Sequence, residues 1–236
     1  MHASADKYGH VPIFSDVSLT AGDRELLGQL SFIRRHYPAH TDIIKEGDKS
    51  ERIFLVGSGW TALYKIMVGG ERQIADFPVP GDIVGLYGSD ALRPSFTAIT
   101  DAVVYEISLV PFIATITRSH RLTQLVLDEG ARQRSILIEH MTNLGRRSAL
   151  ARTAHLLLEL GVRRIMAGVA DPGGYECPLT QYDLGDALGL TAIHINRMLR
   201  ELRLADALHF HKGFVGFLAE DQLKAIAGFE PSYFIR

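Results

Sequence analysis

Side chains that can read a hydrogen-bonding surface are concentrated in one short stretch of the second half of the chain. His194, Asn196 and Arg197 stand close together, and Arg200 follows one helical turn later. Arginine can donate two hydrogen bonds to guanine and asparagine can pair with adenine, and both patterns are presented in the major groove of DNA. Arg200 and Arg203 suit phosphates instead. These residue types predict recognition of base edges in duplex DNA.

A helix-turn-helix is the element that would place these side chains in a groove. Thr180 predicts the N-cap of a short first helix, and Thr191 predicts that of a second helix. Gly189 stands where the chain must leave the first helix with a left-handed backbone, and Gly185 is small where the helices cross. An ordinary helical hairpin is the alternative. Apolar residues at helical spacing give both helices a face to bury: Leu184, Leu188, Ile195, Met198 and Leu199.

The segment 207–217 is predicted to form two short strands around a turn at 211–213, which would be a wing. Lys212 at the tip of the wing would contact phosphate. His209 and His211 have no carboxylate or cysteine beside them at ligand spacing, so no metal site is predicted there. The residues predicted to contact DNA are Thr180, Gln181, Thr191, Ile193, His194, Asn196, Arg197, Arg200 and Lys212.

The first half of the chain follows a different pattern, with short β-branched and aromatic runs separated by glycine-rich turns. No helical period survives across 40–107, and closely spaced short strands are typical of a barrel or jelly roll. The predicted strands are 53–56, 60–67, 72–77, 96–99 and 103–107.

Helical sequence begins at Ser108, and Ser119 predicts the start of a longer helix that runs to about Leu144. A further helix is predicted over 146–161. The long helix carries a mixed stripe with alternating steps of four and three, which fits either packing on its own domain or one half of a dimer seam. The stripe consists of Leu122, Val126, Glu129, Gln133, Ile136, His140 and Asn143.

Composition fits an ordinary globular protein, since 47% of the 236 residues are hydrophobic and 22% are charged. No apolar run has the length of a transmembrane helix, and residues 1–12 lack the apolar core of a secretory signal, so we expect a cytoplasmic protein. The single cysteine, Cys177, excludes a disulfide within the chain and is interpreted as a passive thiol. Because the net charge is only −2, the DNA-binding hypothesis rests on the local cluster.

Several stretches in this order and spacing resemble the Crp/Fnr family of bacterial transcription regulators over nearly the whole chain. They run from Glu46 to Trp60, Pro80 to Leu86, Tyr105 to Ser108, Leu179 to Leu202 and Ala227 to Phe234. The resemblance implies an α+β fold with an N-terminal β-roll, which is a jelly roll or double-stranded β-helix. It implies a β-roll effector domain over 1–118, a dimerisation helix over 119–145 and a winged helix-turn-helix domain over 146–236.

The resemblance also implies an effector pocket, although this chain departs from the cyclic-nucleotide-binding pattern. Leu86 stands where those members carry a ribose-binding glutamate, and Leu137 and Ile138 stand where hydroxyl residues meet adenine. Arg93 is the candidate for the phosphate-binding arginine. The departures argue against a cyclic nucleotide, no cofactor is predicted, and the effector is unknown. The predicted pocket residues are Gly85, Leu86, Arg93, Ser95, Thr97, Leu137 and Ile138.

The chain lacks the residues that two other kinds of sensor in this family use. The oxygen-sensing members carry an N-terminal cysteine cluster, and this chain has no cysteine before Cys177. Haem-dependent members need an axial ligand, for which only isolated histidines such as His36 and His40 are available. Ile193 replaces the cytosine-reading glutamate of the family while Arg197 is kept, so the half-site should differ from the best-known one, with Ile193 on a thymine methyl group.

The expected partners are duplex DNA, a second copy of the chain and, from the resemblance, RNA polymerase, with no membrane. A two-fold dimer implies a palindromic operator. The regulator can depend on a small-molecule effector in the β-roll or act without one, and both alternatives stay open. A cupin-like metalloenzyme is the distant alternative, but such enzymes place histidines in the barrel and 53–107 contains none, so no enzyme is expected.

Overall fold

The computed structural model describes residues 19–48, 51–86 and 94–234. The chain forms two compact units that are not contiguous in sequence. The first comprises Met1–Thr61 and Pro78–Ala131, and the second comprises Ala62–Phe77 and Arg132–Arg236.

The first half of the chain consists mainly of strands, and the second half is mainly helical. In chain order they are α1 (Ala21–Gly28), β1 (Ile33–Tyr37), β2 (Thr41–Ile44), β3 (Arg52–Ser58), β4 (Thr61–Ile66), β5 (Arg72–Asp76), β6 (Ile83–Val84), β7 (Ser95–Ala98), β8 (Ala102–Ser108), α2 (Leu109–Ile116), α3 (His120–Arg146), α4 (Ala149–Met166), β9 (Gly174–Glu176), α5 (Gln181–Leu188), α6 (Ala192–Leu204), β10 (Leu208–His211), β11 (Phe214–Phe217), α7 (Glu220–Ala227) and a 3₁₀ turn (Pro231–Tyr233).

The first unit is built on antiparallel strands. One sheet has the order β1-β8-β3-β6, and β2 pairs separately with β7. Ile53, Leu55 and Ile107 alternate inward from β3 and β8 and pack with Phe112 of α2 and Leu122 of α3 in one apolar cluster. Burying this apolar area is the main force that holds the strands and the helices of the unit together.

The second unit combines the β4–β5 hairpin with the C-terminal helices. A three-stranded sheet of order β10-β11-β9 packs beside α4 and α6. Its core contains Leu157 of α4, Leu184 of α5, Ile195 of α6, Val215 of β11 and Leu223 of α7, all essentially inaccessible to solvent.

The α+β architecture predicted from the sequence is confirmed, and the strands expected over 53–107 are present with ends shifted by one or two residues. The prediction missed α1, β1, β2, β6, β9 and α7, which are short and lie outside the patterned runs. The helix predicted to start at residue 146 begins at Ala149 instead, because Ser148 accepts a hydrogen bond from the Ala151 N–H and caps it. Ser108 precedes α2 but its side chain makes no capping bond. Within the described residues no helix is long and apolar enough to span a membrane.

Of the two roles predicted for the first stripe on α3, the structure shows packing within its own chain. Leu122, Glu129, Ile136 and Asn143 are each at most 2% exposed in the isolated chain. The intervening stripe members are half-buried. The four buried side chains are therefore already packed within the chain and do not face a partner helix.

A second stripe on α3 is free instead. It has the same alternation of three and four residues, and it contains large apolar side chains that are exposed by 61% at Leu127, 47% at Leu137, 66% at Met141 and 40% at Leu144. Its members are Leu127, Gly130, Arg134, Leu137, Met141 and Leu144. A heptad-spaced apolar stripe facing solvent is the surface that a helix offers to a partner helix.

Candidate nucleic-acid interface

The first helix of the predicted helix-turn-helix is closed at both ends by its own sequence. Thr180 caps α5 through a capping box, in which its hydroxyl accepts from the Asp183 N–H and the Asp183 carboxylate accepts from the Thr180 N–H. Gly189 ends the helix in the left-handed region, at φ 60°. A side chain at Gly185 would collide with the Leu190 carbonyl oxygen, so glycine permits the close approach of α5 and the turn.

The second helix, α6, begins at Thr191, whose hydroxyl accepts a hydrogen bond from the His194 N–H. The same hydroxyl lies 3.0 Å from the His194 Nδ1. When the hydroxyl donates to Nδ1, a neutral His194 carries its proton on Nε2 and presents a donor to solvent. Ile195, Met198 and Leu202 bury the opposite face of α6.

The outward face of α6 collects the residues that sequence analysis singled out. Ile193 is 81% exposed, although it is a large apolar residue. Asn196 is exposed and donates a hydrogen bond from Nδ2 to the Gln181 Oε1 at 2.7 Å. The Arg197 side chain is 61% exposed, and its Nε lies 3.8 Å from the Glu201 carboxylate, so the guanidinium is held only loosely. Arg200 is exposed one turn further on.

The wing is present. Strands β10 and β11 pair in register from Leu208 with Phe217 to His211 with Phe214, and β10 packs against α6. The connecting turn uses the left-handed region at Lys212, φ 49°, and at Gly213, φ 74°. Lys212 is exposed at the tip, where an ammonium group can reach a phosphate.

Two features of this surface escaped sequence analysis. Tyr182 follows Gln181 on the first turn of α5 and is 74% exposed, and its position beside a capped helix N-terminus was the available signal. Arg72 of the β4–β5 hairpin donates to the Asp183 and Asp186 carboxylates of α5, each at 2.7 Å, which ties the hairpin to the helix-turn-helix. No local signal predicts a bond between residues more than a hundred positions apart.

Deeper in the second unit lies a buried charge network that joins β5, α3 and α4. His140 places Nδ1 2.9 Å from the Ala75 carbonyl oxygen and Nε2 2.9 Å from the Glu159 carboxylate. Because both ring nitrogens face acceptors, both must donate, and the imidazole is protonated. The Arg163 guanidinium donates to Asp76 at 2.7 Å and to Glu159 at 3.2 Å.

The charges in this network shift two pKa values in opposite directions. Burial alone would lower the pKa of His140, but Glu159 and Asp76 outweigh burial and raise it to about 9. Burial alone would raise the pKa of Glu159, and His140, Arg163 and the Tyr233 hydroxyl lower it instead. Asp76, His140 and Glu159 are residue types that bind metals, and their ligand atoms lie within 4.8 Å of one another. The Arg163 guanidinium supplies the cation for these carboxylates in this structure.

The residues predicted to form an effector pocket are distributed over both units, and the pocket stays a prediction. On β7, the Ser95 hydroxyl accepts from the Glu46 N–H at 3.0 Å, and the Thr97 hydroxyl donates to the Thr41 carbonyl at 3.1 Å. Gly85 has φ 98° and Leu86 is half-buried. Leu137 and Ile138 are exposed on α3 in the second unit, and Arg93 lies outside the described residues.

A cavity of about 780 Å³ does open in the first unit, but none of the predicted pocket residues that the structure describes lines it. Its walls include Tyr37, Arg52 and Glu106. The Tyr37 hydroxyl donates to the Glu106 carboxylate at 2.6 Å, and Arg52 also pairs with that carboxylate, so these three polar side chains are already joined to one another.

Comparison with protein families assigns both halves of the chain. Residues 34–119 match the family described as cyclic nucleotide-binding domain, and residues 151–226 match the family described as Crp-like helix-turn-helix domain.

The chain is similar to curated regulators along most of its length. It is 29% identical over 195 residues to the nitrogen fixation regulation protein FixK of Bradyrhizobium diazoefficiens, covering 82% of this chain and 81% of that protein. It is 28% identical over 200 residues to the transcriptional activator protein FnrL of Cereibacter sphaeroides, covering 83% and 81%. Among solved structures, FixK2 from Bradyrhizobium japonicum superposes with a TM-score of 0.77 at 26% identity, over 85% of this chain and 100% of that one.

Proposed function

Because the chain belongs to the Crp/Fnr family of DNA-binding transcription regulators, we propose that it acts as a homodimer on a two-fold symmetric operator. The observation that carries the proposal is the outward face of α6. An apolar residue, an amide and a guanidinium stand exposed on the first turns of a helix that is capped, anchored from behind and flanked by a wing. Regulation by binding DNA, rather than catalysis, is the activity that this surface supports.

Each exposed residue has a role that follows from its chemistry. Arg197 donates two hydrogen bonds to a guanine, and Ile193 contacts a thymine methyl group. His194, Arg200 and Lys212 hold phosphates, and the free N–H groups at the start of α5, beside Thr180 and Gln181, add a further phosphate site. Thr191 fixes the first turn of α6, so that the reading residues enter the groove in one register.

The second subunit docks on the exposed stripe of α3, which contains Leu127, Leu137, Met141 and Leu144. Two such helices would bury a continuous apolar seam that water otherwise solvates. A two-fold axis along that seam sets the two copies of α6 one helical turn of DNA apart, roughly 34 Å, and the operator is therefore palindromic.

The proposal includes RNA polymerase as a further partner and leaves open whether an effector controls DNA binding. One relative is described as a transcriptional activator, and activation of transcription requires contact with RNA polymerase, so we include the polymerase as a partner. A cyclic nucleotide is disfavoured as effector because Leu86 offers no hydrogen-bond acceptor and the Ser95 and Thr97 hydroxyls bond within the chain. Whether another effector is needed is decided by the binding experiment.

The experiment is selection of bound duplexes from a random library with the purified protein at physiological salt. We expect a palindromic motif. Arg197→Ala should then weaken binding to the selected site by about 1–3 kcal/mol and relax preference at one base pair of each half-site. Lys212→Ala should weaken binding to all sequences alike and flatten the salt dependence.

Lys224→Ala, an exposed change on α7, serves as the matched control and should alter neither quantity. A motif recovered only after a small molecule is added would establish an effector-dependent regulator. If Arg197→Ala weakens binding to random DNA as much as binding to the selected site, Arg197 does not read a base. If no duplex is enriched with or without a panel of candidate effectors, the proposal fails.

A further inference from the structure

Gln181 and Asn196 are joined across the two helices of the helix-turn-helix, on the side that faces solvent. The Asn196 Nδ2 donates to the Gln181 Oε1 at 2.7 Å, although the residues are fifteen positions apart. Both side chains are exposed. Each makes this one side-chain hydrogen bond among the described residues, so the rest of both amides is free to meet a ligand.

The consequence follows from the shape of an amide. A side-chain amide has a carbonyl oxygen and two N–H donors, and it pairs with adenine through the oxygen and the N–H on the same side. The second N–H of the Asn196 amide points away from that pair. It can donate a hydrogen bond to the Gln181 Oε1. A bond made there leaves the adenine-reading edge intact and fixes which way the amide faces.

We propose that Gln181 is a specificity-determining positioning residue, which holds the Asn196 amide in the orientation that selects adenine while its own Nε2 donates to the neighbouring phosphate. This inference rests on the proposed function. Without Gln181, the Asn196 amide can rotate and present either a donor or an acceptor at a given place, which blurs the choice between bases. The expected loss of discrimination, for one neutral hydrogen bond, is about 3- to 10-fold.

The frame that carries the pair is rigid enough for such a role. Threonine caps fix the first turns of both helices, and Gln181 lies in the first turn of α5 while Asn196 begins the second turn of α6. Gly185 brings α5 into contact with the turn before α6, and no side chain would fit between them. The distance between the two backbone positions that carry the amides is therefore fixed, which keeps the side chains within reach of each other.

The experiment compares selected motifs and binding to single-base variants of the site for the wild type, Asn196→Ala, Gln181→Ala, Gln181→Glu and the double variant. Asn196→Ala should erase preference at one base pair. Gln181→Ala should reduce preference about 3- to 10-fold at that same base pair and nowhere else. In the Asn196→Ala background, Gln181→Ala should change base preference no further.

Gln181→Glu separates positioning from phosphate binding, because it keeps the acceptor for Asn196 but loses the donor and adds a negative charge. This variant should retain the base preference while weakening binding to all sequences. Lys224→Ala, on α7 and outside the helix-turn-helix, is the control and should leave that preference unchanged.

Gln181→Ala also removes the phosphate donor, so some weakening of binding to all sequences is expected. Weakening that is uniform, with no loss of preference at the Asn196 base pair, or a changed preference at a different base pair, overturns the inference. A wild type that selects no motif, with or without the panel of candidate effectors, overturns the proposed function and this inference with it. A wild-type motif combined with unchanged preference in Gln181→Ala overturns the inference alone.

Discussion

Replacing Arg163 with methionine removes the buried cation of the second unit and keeps most of the side-chain volume. The Arg163 side chain is 1% exposed. Its guanidinium donates to both Asp76 oxygens at 2.7 and 3.3 Å, to Glu159 at 3.2 Å and to the Phe77 carbonyl at 3.2 Å. With His140 protonated, two positive charges face two carboxylates, and the substitution leaves one negative charge uncompensated away from water.

Breaking a buried ion pair by removing one partner costs about 3–5 kcal/mol, because the remaining charge stays desolvated. For a chain of this length, that loss lowers the thermal midpoint by roughly 6–20 °C. Calorimetry and denaturant unfolding followed by circular dichroism measure the change. Lys224→Met is the control, since the Lys224–Glu220 pair is 37% and 47% exposed and such pairs contribute at most about 0.5 kcal/mol.

A second variant tests whether charge, rather than packing, explains the loss. Asp76→Asn added to Arg163→Met removes the excess negative charge, so the double variant should be more stable than Arg163→Met alone. The reasoning is refuted if Arg163→Met costs no more than Lys224→Met. It is also refuted if the double variant loses the sum of the two single losses, because independent sites add and coupled charges do not.

Three further outcomes are expected. The pKa of His140 is raised to about 9, against roughly 6.5 in the unfolded chain. Its contribution to stability is therefore complete below about pH 6.5 and is lost as pH rises through 9. The free energy of unfolding, measured from about pH 6 to 10, should show a decline that His140→Gln flattens. Met141→Glu, on the exposed stripe of α3, should shift sedimentation toward the monomer, whereas Lys224→Glu, on α7, should not; equal effects would exclude this seam. Gly185→Ala should lower the thermal midpoint and weaken all DNA binding because its Cβ would strike the Leu190 carbonyl, while Gly145→Ala, with open space around it, should do neither.

The sequence alone determined the helix-turn-helix and much of the strand pattern, because their signals are local. Thr180, Gly189 and Thr191 act on backbone groups within four residues of themselves, through a cap, a left-handed exit and a second cap. Such choices need no distant partner, so residue type and spacing were sufficient to predict them. The outward positions of Ile193 and Arg197 follow from the same helical period.

The tertiary structure decided which face of α3 is buried and which is free. Two stripes on that helix have the same alternation of three and four residues, one through Leu122 and Ile136 and the other through Leu127 and Met141. Periodicity cannot rank them, because burial depends on which distant surface packs against the helix. The first stripe includes Glu129 and Asn143, polar residues that the folded chain buries.

The same reason applies to the contacts between distant polar residues. The bond from Arg72 to Asp183, the network of His140 with Glu159, and the pair of Gln181 with Asn196 each join residues that only the fold brings together. Their residue types were visible in the sequence, but a charge or an amide has no meaning for function until its partner and its exposure to water are known. Long-range packing sets both.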